Sequence, residues 1–106
     1  MARRKDTVAW SDPALLILGS LASGPKHGYA ILQEVESSTG VTMGPGTLYG
    51  ALPRLEEQGL VRPLAGEDRR RPYELTAEGA RVLRARLEAM RVFATRGLAK
   101  LRAMTA

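Results

Sequence analysis

Three consecutive arginines, Arg69, Arg70 and Arg71, stand in the stretch GEDRRRPYELT at residues 66–76. Guanidiniums placed side by side repel one another, so such a run is useful where a polyanion faces it, and phosphate suits guanidinium best. A second set of candidates lies upstream in GPGTLYGALPRLEEQG, residues 44–59. On a helix, Arg54 can take two acceptors of a guanine, Thr47 can meet a thymine methyl or a phosphate, and Tyr49 can reach a phosphate. Gly50 removes bulk and lets such a helix approach a groove closely. Glu67 and Asp68 precede the arginines and would hold them in place or lower their affinity. The competing readings are an amphipathic helix with a solvated outer face and a plain basic loop.

Other chemistries find little support. Among 106 residues there is no cysteine, and His27 is the single histidine, which excludes thiol catalysis, disulfides and a multi-histidine metal centre. His27 has no evident serine partner, no carboxylates show a catalytic spacing, and GPGTLYG lacks the lysine of a phosphate-binding loop. The expectation is no enzyme, no metal and no cofactor. The net charge of +5 and the pI near 10.2 favour a polyanionic partner. MARRKDTVAWSD is too polar for a signal peptide, and PALLILGSLA is about half the length of a membrane span. A cytoplasmic protein with no membrane association is expected.

The elements that would position these residues follow from period and punctuation. Asp12 and Pro13 open a first helix that is apolar almost all round through Leu15, Leu16, Ile17, Leu18 and Leu21, and SGP at 23–25 ends it. HGYAILQEVESSTG gives a second helix with an Ile31, Leu32, Val35 stripe and Gly40 as its cap. VTM is a short extended link. Pro45 opens a third helix whose Leu48, Leu52 and Leu55 define a buried face, and Gly59 closes it. Pro53 removes an amide from that helix and predicts a kink. LVRPL and PYEL are short strand candidates joined by AGEDRRR. Thr76 caps a long helix from Ala77 to about Met104, with fraying expected beyond Gly97. The order predicts a mainly α protein with a small β-hairpin: a winged helix-turn-helix over residues 12–76, a basic arm at 1–11 and a C-terminal helix over 77–106. In that fold the third helix reads DNA and the hairpin tip reaches the backbone or the minor groove.

The blocks HGYAILQEV, GPGTLYGALPRLEEQGLV and RRRPYELTAEGARVL, taken in this order and spacing, resemble the PadR-type transcriptional regulators over roughly residues 14–83. The resemblance implies a homodimeric bacterial DNA-binding repressor, often regulated by a small molecule. It places Lys26, His27 and Tyr29 at the start of the second helix near the DNA backbone. It puts Thr47 and Tyr49 at reading-helix positions beside Gly50 and Arg54, and Arg69, Arg70 and Arg71 on the wing. Two residues depart from the family pattern: Gly50 stands where proline is common, and Pro53 where a polar or basic residue is common.

In the last helix Ala80, Leu83, Leu87, Met90, Ala94, Leu98 and Leu101 form a near-heptad stripe, widened by Val82 and Phe93. A thin domain cannot cover that stripe alone. A twin helix and the first helix of a partner, through Leu15 and Leu18, would cover it; the alternative is a helix folded back on its own domain. Most of the helix's arginines make a solvated face, with Glu88 pairing to Arg84 or Arg91. Trp10, Met90 and Phe93 are candidates for a pocket that stacks a small hydrophobic or aromatic effector, or Trp10 packs the first helix onto the dimer core. ARRK at 2–5 is a basic arm touching DNA, or a solvated tail. The partner expected is a palindromic double-stranded operator. A winged-helix module that meets an acidic protein instead of DNA is the alternative function.

Overall fold

The computed structural model describes residues 12–66 and 71–105. The first helix, α1 (Pro13–Leu21), starts where the Asp12 Oδ1 accepts the Ala14 amide at 3.0 Å and Pro13 occupies the first turn. Leu15, Leu16, Ile17, Leu18 and Leu21 are all buried, so the all-round apolar helix is covered on several sides. The second helix, α2 (Gly28–Thr39), directs Ile31 and Val35 inward and ends at Gly40, whose φ of 77° suits glycine. The third, α3 (Pro45–Glu57), buries Leu48, Ala51, Leu52 and Leu55. It runs through Pro53 without a break: Pro53 has no amide to offer the Tyr49 carbonyl, but the buried face holds the helix together across it.

These three helices close around Ile17, Leu18, Leu21, Ile31, Leu48 and Leu52, each almost wholly buried. Each such side chain contributes roughly 1.5–3 kcal/mol of transfer free energy. Met43, in the link before α3, joins the same core.

The hairpin follows at once. Strands β1 (Val61–Pro63) and β2 (Tyr73–Leu75) pair antiparallel in the register Val61 to Leu75, Arg62 to Glu74 and Pro63 to Tyr73. The exposed Arg62 and Glu74 form a cross-strand ion pair. On the other side of β2, Lys26 and Tyr73 exchange backbone hydrogen bonds of 3.0 and 2.9 Å. The loop before α2 is thereby stitched to the hairpin as a one-residue third strand.

The last helix, α4 (Ala77–Thr105), is about 44 Å long at the α-helical rise. Thr76 Oγ1 accepts the Gly79 amide at 2.9 Å and donates to the Gly59 carbonyl at 2.6 Å, which caps the helix and ties it to the end of α3. Arg81 hydrogen-bonds Glu78 and holds its carboxyl below the ordinary value, although both side chains are exposed. Arg86 pairs with Asp12 at 2.9 Å, joining α4 to the start of α1. Glu88 pairs with Arg91 at 2.7 Å. Only Gly79 and Leu83 of this helix are buried. The fraying expected beyond Gly97 is not seen: α4 continues to Thr105, carried by strong helix formers such as Leu98, Ala99, Lys100 and Leu101. No helix among the described residues is long and apolar enough to cross a membrane.

Candidate nucleic-acid interface

The buried face of α3 fixes its rotation, and with it the direction of every candidate reading residue. At the helical period, Gly46, Gly50, Pro53 and Glu57 fall opposite Leu48, Ala51, Leu52 and Leu55, and all four are exposed. The outer face is therefore bare of side chains at Gly46 and Gly50, where a surface can approach the backbone itself, while Pro53 and the Glu57 carboxylate occupy the rest of its centre. Thr47 and Arg54, seven residues apart, share one edge of this face with Gly50 between them. Arg54 also borders a small cleft with Asp12, Pro13 and Gln58, on the side where α1 begins.

Tyr49 lies on the opposite edge, turned toward α2. A Cβ added at Gly28 would collide with the Tyr49 hydroxyl and stand 2.8 Å from its Cζ. The HGY and GTLY segments are thus two halves of one contact: the first residue of α2 is glycine because the Tyr49 ring lies across it. Tyr49 is still part exposed, with its hydroxyl beside the N-terminus of α2, where free amides and the helix dipole favour an anion. Gly28→Ala is expected to push the part-exposed Tyr49 ring aside at a modest cost of roughly 0.5–1 kcal/mol, because the atoms it meets are the far end of that side chain. The cost should largely vanish in a Tyr49→Ala background, a coupling that a double-mutant cycle of urea melts reads directly.

The residues around that helix start divide in role. His27 is the exposed N-cap of α2 and makes no side-chain capping bond. Tyr29 is 69% exposed, and its hydroxyl accepts from the Gln33 amide at 3.4 Å. Lys26 is different. Its side chain is only 17% exposed, and its Nζ donates to the Ser20 carbonyl and to Ser23 Oγ, both at 2.6 Å. Its ammonium is turned inward onto the C-terminal end of α1, so His27 and Tyr29, and not Lys26, face solvent at this end of α2.

Of the arginine run, Arg69 and Arg70 lie outside the described residues, as do Glu67 and Asp68. Arg71 sits at the base of the hairpin, part buried, with its Cζ 5.8 Å from the centroid of the Tyr73 ring. A Cβ at Gly66 would stand 2.7 Å from the Arg71 Cα, so the two ends of the hairpin tip close tightly on each other. Arg71 is therefore in part a stay for the wing. Arg71→Lys, which keeps the charge but loses the planar stacking group, is expected to lower the thermal midpoint by a few degrees, a shift corresponding to about 0.5–1 kcal/mol.

The candidates for dimerisation also separate. Leu18 and Leu83 belong to the core of the protomer itself, and Leu15 is buried beside them. From Leu87 onward the stripe leaves the domain: Leu87, Met90, Leu98 and Leu101 are exposed along α4, as is Ala94, and Phe93 is 81% exposed. Of the three suggested effector contacts, Trp10 lies outside the described residues, as does the 2–5 arm; Met90 lines a groove between α1, α2 and α4, and Phe93 is not among that groove's lining residues.

Sequence reasoning missed several of these arrangements. Lys26 reads from sequence as a free cation, and Gly28 as an ordinary helix start. The recurrence of glycine and tyrosine in HGY and GTLY was the available signal, but it does not say which tyrosine covers which glycine.

The geometry has close relatives. A transcriptional regulator from Clostridium thermocellum shares the fold with a TM-score of 0.71 and 28% identity over 83% of this chain and 88% of that one. A PadR family regulator from Clostridium difficile gives 0.71 and 27% over 78% and 91%. The complex structure of hsRosR-S4 gives 0.67 and 31% over 82% and 76%. Among curated proteins, an uncharacterised 37.1 kDa protein of a Streptomyces fradiae transposon is 51% identical over 73 residues, 69% of this chain and 21% of that protein. The Escherichia coli transcriptional regulator YqjI is 31% identical over 83 residues, 76% of this chain and 40% of that protein. The chain thus spans two fifths or less of the length of these curated relatives. Residues 17–85, from the middle of α1 to the third turn of α4, match the model of the PadR-like transcriptional regulators. The chain belongs to that family, one of transcriptional regulators and not of enzymes.

Proposed function

We propose that the protein is a homodimeric, cytoplasmic, sequence-specific DNA-binding regulator that represses its own or a nearby gene. The observation that carries this reading is α3. Its inner face is locked into the core by Leu48, Leu52 and Leu55, while its outer face, with Thr47, Gly50 and Arg54, is open to a groove. Beside it stand groups that suit backbone binding, the free N-terminus of α2 with His27 and Tyr29 and the Tyr49 hydroxyl, and the sequence between β1 and β2 contains Arg69 and Arg70. The net charge of +5 supplies the long-range attraction. Two such units, joined through α4, would set their reading helices about one DNA turn apart on a palindrome.

The division of labour gives the test. An operator is selected from a random duplex library, and Arg54→Ala and Arg70→Ala are compared on it. Arg54→Ala should cost about 1–3 kcal/mol and relax preference at one base position in each half-site. Arg70→Ala should weaken all duplexes alike and flatten the salt slope by about one per protomer. Equal loss on every sequence for Arg54→Ala would remove it as a reader. Failure of the library to yield any preferred duplex would favour the other reading, a winged-helix module whose basic wing meets an acidic protein.

A further inference from the structure

The hairpin is held to the helices along both of its strands. On one side the Leu60 amide donates to the Leu55 carbonyl at 2.9 Å, which joins the approach to β1 to the end of α3. On the other side β2 meets Lys26. The Lys26 amide donates to the Tyr73 carbonyl at 3.0 Å, and its carbonyl accepts the Tyr73 amide at 2.9 Å. A ribbon of two three-residue strands is marginal by itself, and a third backbone segment alongside it supplies part of what it lacks. The tilt of the hairpin against α3 then depends on what holds the Lys26 backbone.

The Lys26 side chain does so. Its ammonium reaches back six residues to the Ser20 carbonyl at 2.6 Å, in the last turn of α1, where helix geometry leaves carbonyls without an amide and the dipole favours positive charge. It also donates to Ser23 Oγ at 2.6 Å and to the Gly24 carbonyl at 3.5 Å, and Ser23 Oγ donates in turn to the Ser20 carbonyl at 3.2 Å. Glu34 of α2 stands 4.0 Å away and offsets the charge. Three protons directed to three acceptors leave none for a phosphate. Lys26 also carries its neighbours: Arg71 lies over the Tyr73 ring that its backbone pairs, and His27, the N-cap of α2, follows it in the chain.

We infer that Lys26 is a positioning residue for the wing, and, resting on the DNA-binding reading above, that it serves DNA binding without touching DNA. It anchors the hairpin, through Tyr73, to the end of α1 and so presents the wing ready-placed to a duplex. The two possible roles of a lysine here differ in a measurable way. A lysine that contacts a phosphate releases a counterion, and its removal flattens the salt slope by about one per protomer. A lysine that only pre-places the wing leaves the bound contacts as they are. Its removal raises the cost of ordering the hairpin, so binding weakens by the same factor at every salt concentration.

The test uses the full chain with Lys26→Met and Glu34→Gln combined, which removes the ammonium and leaves the net charge at +5. In the free protein, hydrogen exchange followed by NMR should show the Tyr73 amide accelerated about tenfold beyond any change at the Leu52 and Leu55 amides of α3. On the selected operator and on a scrambled duplex alike, the variant should bind roughly five- to tenfold more weakly, with the salt slope of the parent. Ser23→Ala keeps the charge and removes one acceptor of the ammonium. It should move both readouts the same way by less, and it decides the matter if the double variant does not fold. A slope flattened by about one per protomer would make Lys26 a phosphate contact and overturn the proposal. So would an unchanged Tyr73 amide, or equal acceleration at Tyr73, Leu52 and Leu55, which would mean a general loss of stability. Absence of any preferred duplex would overturn the DNA-binding reading and not the anchoring of the hairpin, which the exchange measurement decides without DNA.

Discussion

Leu98→Glu combined with Leu101→Glu is expected to leave a monomer in solution and to weaken operator binding by at least about a hundredfold, since each half-site must then be bound without its tethered twin. The argument starts from burial. Among the residues of α4 only Gly79 and Leu83 are covered by the protomer, and Leu98 and Leu101, each 57% exposed, continue the same stripe beyond the domain. A stripe of that length on a monomer is unusual, and its near-heptad spacing suits a second helix. In a two-fold dimer the two substitutions place four carboxylates at the seam, replacing four leucines worth roughly 1.5–3 kcal/mol each when buried. Neither residue touches the core around Ile17 and Leu48, so the helical circular dichroism should be kept. Sedimentation equilibrium gives the mass and anisotropy the affinity. A double variant that remains dimeric would move the interface elsewhere.

Gly79→Ala is expected to be the most destabilising single glycine substitution in the chain. The first turn of α4 packs so closely against Leu60, the residue before β1, that an added Cβ would collide with the Leu60 carbonyl oxygen and stand 2.9 Å from the Leu75 Cδ1. The carbonyl cannot swing aside, because it accepts the Thr76 amide at 3.1 Å, the bond that seats the start of α4 on the hairpin. Relief therefore needs a shift of the whole helix start, with Thr76 losing its reach to Gly59. Overpacking of this kind costs about 1–3 kcal/mol or more, which for a chain of this size lowers the thermal midpoint by roughly 5–20 °C. Gly97→Ala is the matched control. Nothing lies within 4 Å of its added Cβ, and alanine in a helix interior is favoured by up to about 1 kcal/mol, so this variant should melt at or above the parent. Thermal unfolding followed by circular dichroism compares the pair. A Gly79→Ala protein as stable as the parent would mean that α4 does not sit on Leu60 and Leu75 this way.

The difference between those two glycines shows where the sequence was legible. Periodic signals were: Leu48, Leu52 and Leu55 point inward as their spacing requires, and Asp12 with Pro13, Gly40 and Thr76 mark helix ends because capping is local chemistry within a few residues. Contacts between distant segments were not. Nothing in LTAEGA says that Gly79 meets the carbonyl of Leu60, and nothing in HGY says that Tyr49 lies over Gly28. Met43 reads as part of a link because a single apolar residue carries no period. The candidate interface was legible in the same uneven way. The rotation of α3 follows from its leucines, which places Thr47, Gly50 and Arg54. The inward turn of Lys26 depends on the C-terminal end of α1, and the stacking of Arg71 depends on its neighbour across Pro72, so both look from sequence like ordinary free cations. Leu18 and Leu83 show the remaining ambiguity: an apolar residue on a helix is equally suited to its own core and to a partner, and only the folded domain decides between them.

The most direct measurement is fluorescence anisotropy of the purified protein on the duplex from upstream of its own gene, against a scrambled duplex of equal composition at near-physiological salt. The account predicts a preference for the native duplex of about a hundredfold or more, with two protomers bound per site. Equal and steeply salt-dependent binding to both duplexes, or binding to neither, would contradict it.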